Sequence, residues 1–259
     1  MNNLSKYSVW FVLLLICVSC ASTKLLNGDE EKYHLSTEEI YGRNCAAFTC
    51  VREVDEEFQS ELKKEGKRLL QIYLIRHAKP NLKKKAFYSV QEAQQYMTNY
   101  NLVPIHPIDS GLVRVDLDRR HTIHCSSLRR SQETAQGIFG DNFPIVADSL
   151  FREFEIKAIR ASSVIKVPLV VWQFFSRGTW FLGFNHRGIE SFKEAKKRAY
   201  RCAEKLIESA IEEETSILVG HGMLNGAIER ELAKQGWQTI KNKGHVNLGA
   251  TILVKVVER

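Results

Sequence analysis

The sequence has no long block of like charge, no proline-rich stretch and no glycine/serine run, so composition gives no ground for a disordered segment. No unit recurs at a fixed period, which excludes solenoid and propeller architectures. Cys-x-x-Cys is absent, and no His/Cys cluster has zinc spacing, so neither a structural metal nor any other metal site is expected. The basic residues are scattered rather than gathered into a stripe with interleaved aromatics, and nucleic acid is therefore not an expected partner. No apolar stretch reads as a mature transmembrane helix. Val9–Ile16 is too short to span a bilayer, and the aromatic stretch Trp172–Phe181 is broken by Arg177 and preceded by Lys166.

What is there is 259 residues, 44% hydrophobic and 26% charged, enough for one ordinary domain plus extra sequence but cramped for two. The formal net charge of +7 favours anionic partners without choosing among them. The N-terminus has the charged–apolar–small layout of an export signal: Lys6, then Val9–Ile16, then Cys17-Val18-Ser19-Cys20-Ala21-Ser22. Its end resembles a bacterial lipobox, with Cys20 as the lipidated residue and Cys17 where Leu is usual. Cleavage after Ala21, giving a free secreted chain, is the alternative. The expectation is an exported protein, periplasmic or at the cell surface, held to the membrane by an N-terminal lipid anchor. With Cys17 removed and Cys20 lipidated, Cys45, Cys50, Cys125 and Cys202 remain, and Cys45 and Cys50 are close enough in sequence to pair.

Three segments follow: a signal peptide over 1–20, a helical extension or spacer over 21–68, and a catalytic domain over 69–259. Ser36-Thr37-Glu38-Glu39 reads as a capping box, and Val54–Lys67 is charged and helix-compatible. From Leu69 the texture changes. Leu69–Ile75, His121–Cys125, Pro144–Ala147, Ser216–Val219 and Ala250–Val257 read as strands. Helices are expected from Ser89 to about Tyr100, over Leu128–Phe139, from Ser191 towards Glu213, and over Met223–Gln235. This alternation predicts an α/β fold, a three-layer domain with a mostly parallel sheet and helices on both faces. Ligands in such sheets gather beyond the carboxyl ends of the strands.

Two of those strands end in histidine, as Arg76-His77-Ala78 and Gly220-His221-Gly222. A third runs into Ser126-Ser127-Leu128-Arg129-Arg130-Ser131-Gln132-Glu133-Thr134-Ala135. Parallel strands bring these ends to one edge, where guanidinium forks bind phosphate oxygens and a neutral imidazole can attack phosphorus. The three motifs, in this order, resemble those of the histidine phosphatase (phosphoglycerate mutase-like) superfamily, from about Leu70 to the C-terminus.

That resemblance implies a metal-independent phosphoester hydrolase using no cofactor and acting on a small phosphorylated substrate. His77 would be the nucleophile that becomes phosphorylated, with Arg76 and Arg130 binding the phosphoryl group and His221 completing the pocket. By motif position Arg130, not Arg129, is the family's arginine, which leaves Arg129 solvent-exposed or at the rim. Glu153, in Phe151-Arg152-Glu153, would be the general acid, with Glu155 the runner-up. His121, His124 and His106 are expected to be structural, and Lys83-Lys84-Lys85 a solvated loop. Three departures stand out: Ala78 for the usual Gly, Lys79-Pro80-Asn81 with Lys83 in place of mutase-type residues, and only Ile108-Asp109-Ser110-Gly111 as a remnant of an earlier block. These weigh against a phosphoglycerate mutase-type isomerase, which stays open as an alternative beside a non-catalytic phosphate-binding lipoprotein.

Overall fold

In the computed structural model, residues 35–259 are described, apart from 43, 44, 46, 48 and 119. The expected signal peptide, Cys20 and residues 21–34 lie outside the described residues. In chain order the elements are α1 (Thr37–Tyr41), β1 (Thr49–Arg52), α2 (Glu56–Lys64), β2 (Lys67–Arg76), α3 (Val90–Asn99), β3 (Val113–Asp116), β4 (Ile123–Ser126) and α4 (Arg129–Phe139). There follow β5 (Ile145–Asp148), α5 (Leu169–Phe181), α6 (Phe192–Glu213), β6 (Thr215–Gly220), α7 (Gly222–Ala233), β7 (Gln238–Asn242) and β8 (Ala250–Glu258). Helices α1, α3 and α6 start where Ser36, Ser89 and Ser191 form reciprocal capping boxes with Glu39, Glu92 and Glu194, satisfying amides that the first turn leaves unpaired.

The main sheet has the order β5-β4-β6-β2-β8-β7. Strands β5, β4, β6 and β2 pair in parallel, and β8 runs antiparallel to both β2 and β7, so the sheet is mostly parallel. Alternation along β2 divides the core into two layers. Leu70, Ile72 and Leu74 pack with Ala199, Cys202 and Leu206 of α6 and Leu224 and Ile228 of α7. Tyr73 and Ile75 face the other way, onto Ala135 and Phe139 of α4 and Val51 of β1. Each fully buried Leu or Ile contributes roughly 1.5–3 kcal/mol. Helices thus cover both faces, as the alternating pattern predicts.

The segment before β2 is not wholly helical. Strand β1 pairs in parallel with β3 as a separate two-stranded sheet, and β2 begins at Lys67, inside the stretch read as a spacer. All four β1 residues are buried, so Thr49–Arg52 shows no alternation that a sequence reading could use. This segment is tied to the sheet by buried polar contacts. Tyr41 Oη donates to Gln71 Oε1 at 2.7 Å and lies 2.7 Å from Tyr73 Oη, and Gln71 Nε2 donates to Thr215 Oγ1 at 3.1 Å. Cys45 and Cys50 form a disulfide with Cα atoms 6.4 Å apart, while Cys125 and Cys202 are free and buried.

Candidate active site

The register Arg76↔Gly220 between β2 and β6 places His77 and His221 side by side, each one residue past a paired strand end. Strand β4, on the other side of β6, ends at Ser126 and delivers the start of α4, with Arg130 in its first turn. Leu128 N donates to Ser126 Oγ, and Ser131 Oγ both accepts from Ser126 N and donates to Val219 O, so the turn is pinned to β6. The imidazole centroids of His77 and His221 are 5.1 Å apart, and both residues are buried.

His77 has a defined tautomer. Its Nδ1 lies 2.7 Å from Ala78 O, and a carbonyl oxygen only accepts, so Nδ1 carries the proton. The Nε2 lone pair is then available, and Arg130 Nε donates to it at 3.1 Å. Burial, followed by the positive charge of Arg130 and then of Arg76, pushes the His77 imidazolium pKa down to about 3, with the Ala78 carbonyl opposing. His221 is pushed well below the ordinary histidine value by burial first, then by Arg130, His77 and Arg76. Neither ring nitrogen of His221 has a hydrogen-bond partner, and Arg76 Nε is likewise buried and unpartnered. Unsatisfied buried donors are costly, and a dianion among these groups would satisfy them.

Several residues outside the three motifs hold this arrangement. Asn225 Oδ1 accepts from His221 N, and its Nδ2 donates to Ile75 O, joining the two histidine-bearing strand ends. A Cβ on Gly220 would collide with Asn225 Oδ1, which explains the glycine there. Asn247 Nδ2 donates to His77 O at 2.8 Å, and Arg76 Nη1 donates to His245 O. Thr134 Oγ1 accepts from Ala78 N and donates to Arg130 O. Arg130 Nη1 donates to Asn101 Oδ1 at 2.6 Å, and its guanidinium carbon lies 5.1 Å from the centre of the Tyr100 ring. Asn101, Tyr100, His245 and Asn247 sit in loops or at a helix end, where spacing carries no signal. The block Ser131…Thr134 was the one available pointer.

Glu153 lies at the N-terminus of α7. Its Oε2 accepts from Met223 N at 3.2 Å, and its Oε1 accepts from Leu224 N at 3.1 Å and Phe154 N at 2.9 Å. Glu155, the other candidate acid, is exposed, and its backbone carbonyl accepts from Arg177. Both carboxylates line the same cavity of about 520 Å³ as Arg76, His77, Arg130 and Arg177. Arg129 is exposed, paired with Glu133 at 2.6 Å, and points away from the imidazoles towards Leu102 O. His121, His124 and His106 take no part. His124 contacts Ser209 Oγ, His121 lies between Glu53 and Glu213, and His106 is exposed. Among the described residues, no group of three or more His, Cys, Asp or Glu side chains could hold a metal ion.

The profile of the histidine phosphatase superfamily (branch 1) matches residues 72–256. No curated protein matches the sequence. Among solved structures, the chain is similar to a mycobacterial glucosyl-3-phosphoglycerate phosphatase, at 16% identity over 72% of this chain and 91% of that one, with a TM-score of 0.43. It is similar to a phosphoglycerate mutase from Bacillus anthracis at 15% identity, covering 74% and 90% of the two chains, with a TM-score of 0.44. A phosphoserine phosphatase from Entamoeba histolytica matches at 18% identity over 70% and 89%, with a TM-score of 0.37.

Proposed function

We propose, since the chain belongs to the histidine phosphatase superfamily (branch 1), that it hydrolyses phosphate monoesters through a phosphohistidine at His77. The observation that carries this reading is the tautomer of His77: a neutral imidazole, protonated at Nδ1, with its Nε2 lone pair turned to Arg130. On substrate binding the Arg130 guanidinium moves its donors from Nε2 to phosphate oxygens, beside Arg76 and His221. Nε2 then attacks phosphorus, the bond to the ester oxygen breaks, and Glu153 gives its proton to the departing alkoxide. Water attacks the phosphohistidine, its proton returns to Glu153, and the P–N bond breaks to free inorganic phosphate. The fixed cations stabilise charge on the equatorial oxygens throughout.

Glu153 is favoured over Glu155 on position: the α7 backbone amides fix it at the start of the helix that follows His221, whereas Glu155 is exposed. As the acid it carries a proton and turns one oxygen from those amides, which favour its charged form, to the ester oxygen. The carboxylate is near enough to influence Arg130 and Tyr100 electrostatically. Export with lipid anchoring at Cys20 is part of the same proposal and rests on the N-terminal sequence alone. Turnover of an aryl phosphate should persist in excess chelator and be inhibited by vanadate. Activity that disappears on chelation would refute the metal-independent mechanism.

A further inference from the structure

Between Glu155 and Glu190 the chain carries no acidic residue, although at its overall frequency of 30 acids in 259 residues such a stretch would hold about four. The same stretch has four exposed cations, Lys157, Arg160, Lys166 and Arg187. It also concentrates exposed apolar surface. Of the thirteen large apolar side chains exposed among the described residues, eight lie between 164 and 184. Helix α5 organises them. Leu169, Trp172, Ser176 and Trp180 are buried against the domain, which turns Val170, Phe174 and Phe181 outward as one stripe at helical spacing. Phe174 is 53% exposed, and Leu182 and Phe184, at 72% and 78%, extend the stripe past the helix end.

Scattered exposed apolar residues need no explanation, but eight of thirteen gathered on one helix and its flanks mark an interaction site. Its surroundings select the partner. A helix with an aromatic and aliphatic outer face, flanked by cations and free of carboxylates, matches an anionic lipid surface, where apolar side chains enter the acyl boundary and lysine and arginine meet the headgroups. At thirteen residues α5 would lie along such a surface, and among the described residues no helix is long and apolar enough to cross one. We infer that residues 156–189 form a docking surface for an anionic lipid bilayer, with the Val170–Phe174–Phe181 stripe inserted.

The surface adjoins the catalytic pocket. Gln173 and Arg177, next to the stripe around the helix, line the cavity that holds His77, so docking places the pocket mouth at headgroup level.

The test uses the full chain and vesicles of phosphatidylcholine with or without phosphatidylglycerol. Tryptophan is introduced as Phe174→Trp or, as a control on the exposed face of α2, as Glu57→Trp, and emission is corrected for the unsubstituted chain. With phosphatidylglycerol present, the residue-174 emission should shift to the blue and be quenched by brominated lipid, while the control is unaffected. Arg160→Glu combined with Lys166→Glu should weaken partitioning of that face about tenfold or more. The inference is overturned if position 174 stays unquenched while the chain is vesicle-bound, because attachment is then elsewhere. It is equally overturned if the chain does not bind, or if the patch is buried in a self-association that persists with vesicles present.

Discussion

His77 is under two constraints that act in the same direction. The Ala78 carbonyl fixes the proton on Nδ1, and burial with two neighbouring guanidinium groups disfavours a second proton. A protonated Nε2 could not attack phosphorus, so in the proposed mechanism the cations that would bind the anion also keep the nucleophile neutral. In ¹H–¹⁵N spectra of the free enzyme, the His77 ring should therefore remain the Nδ1–H tautomer from pH 8 down to at least pH 5. A midpoint near the ordinary 6.5 would show that burial and the cations do not govern this residue. Arg130 is constrained by Asn101 and Tyr100 as well as by His77, so its approach is set from three sides. Lysine there would supply the charge without the fork that spans Nε2 and Asn101.

At the scale of elements, the site depends on how the ends of β2, β6 and β4 are joined. Asn225 couples the first two, accepting from His221 N and donating to Ile75 O while buried. Asn225→Ala should cost about 2 kcal/mol in thermal or denaturant unfolding, for two lost buried hydrogen bonds. It should also lower kcat/KM by about tenfold or more, since small displacements of reacting groups are expensive. Unchanged kinetics would separate this residue from positioning. The same elements show what was legible in advance. Strand ends at Arg76 and Gly220 and capping boxes at Ser36, Ser89 and Ser191 are written in local patterns, so the parallel core and the meeting of His77, Arg130 and His221 follow from sequence. Strands β1, β3 and β7 are four or five residues long and lack a clear signal, and their pairing depends on distant partners. Asn101, His245 and Asn247 reach the site from loops whose paths only the assembled fold determines.

For the whole molecule, placing two neutral imidazoles in the interior links stability to pH. A histidine whose folded pKa is depressed binds its proton more readily in the unfolded chain, so its contribution is complete above about pH 6.5 and is lost as pH falls towards the folded value. His77, at about 3 when folded, and His221, shifted the same way, each remove up to about 1.4 kcal/mol per pH unit in that window. Unfolding free energy should thus fall between pH 6.5 and 4, and His221→Asn should flatten the slope by about one proton. An unchanged slope would mean that His221 is not buried neutral. The buried Tyr41–Gln71–Tyr73 cluster and the packing of Val51 on Tyr73 and Ile75 fasten the described residues before β2 to the sheet, so they should unfold with it rather than ahead of it.

The most direct measurement is rapid-quench trapping of the enzyme during turnover of a phosphate-labelled aryl ester, followed by peptide mapping. An acid-labile, alkali-stable phosphoryl group should appear within the first turnover on His77 and be missing in His77→Ala. A label on another residue, or turnover that survives His77→Ala, would contradict the account.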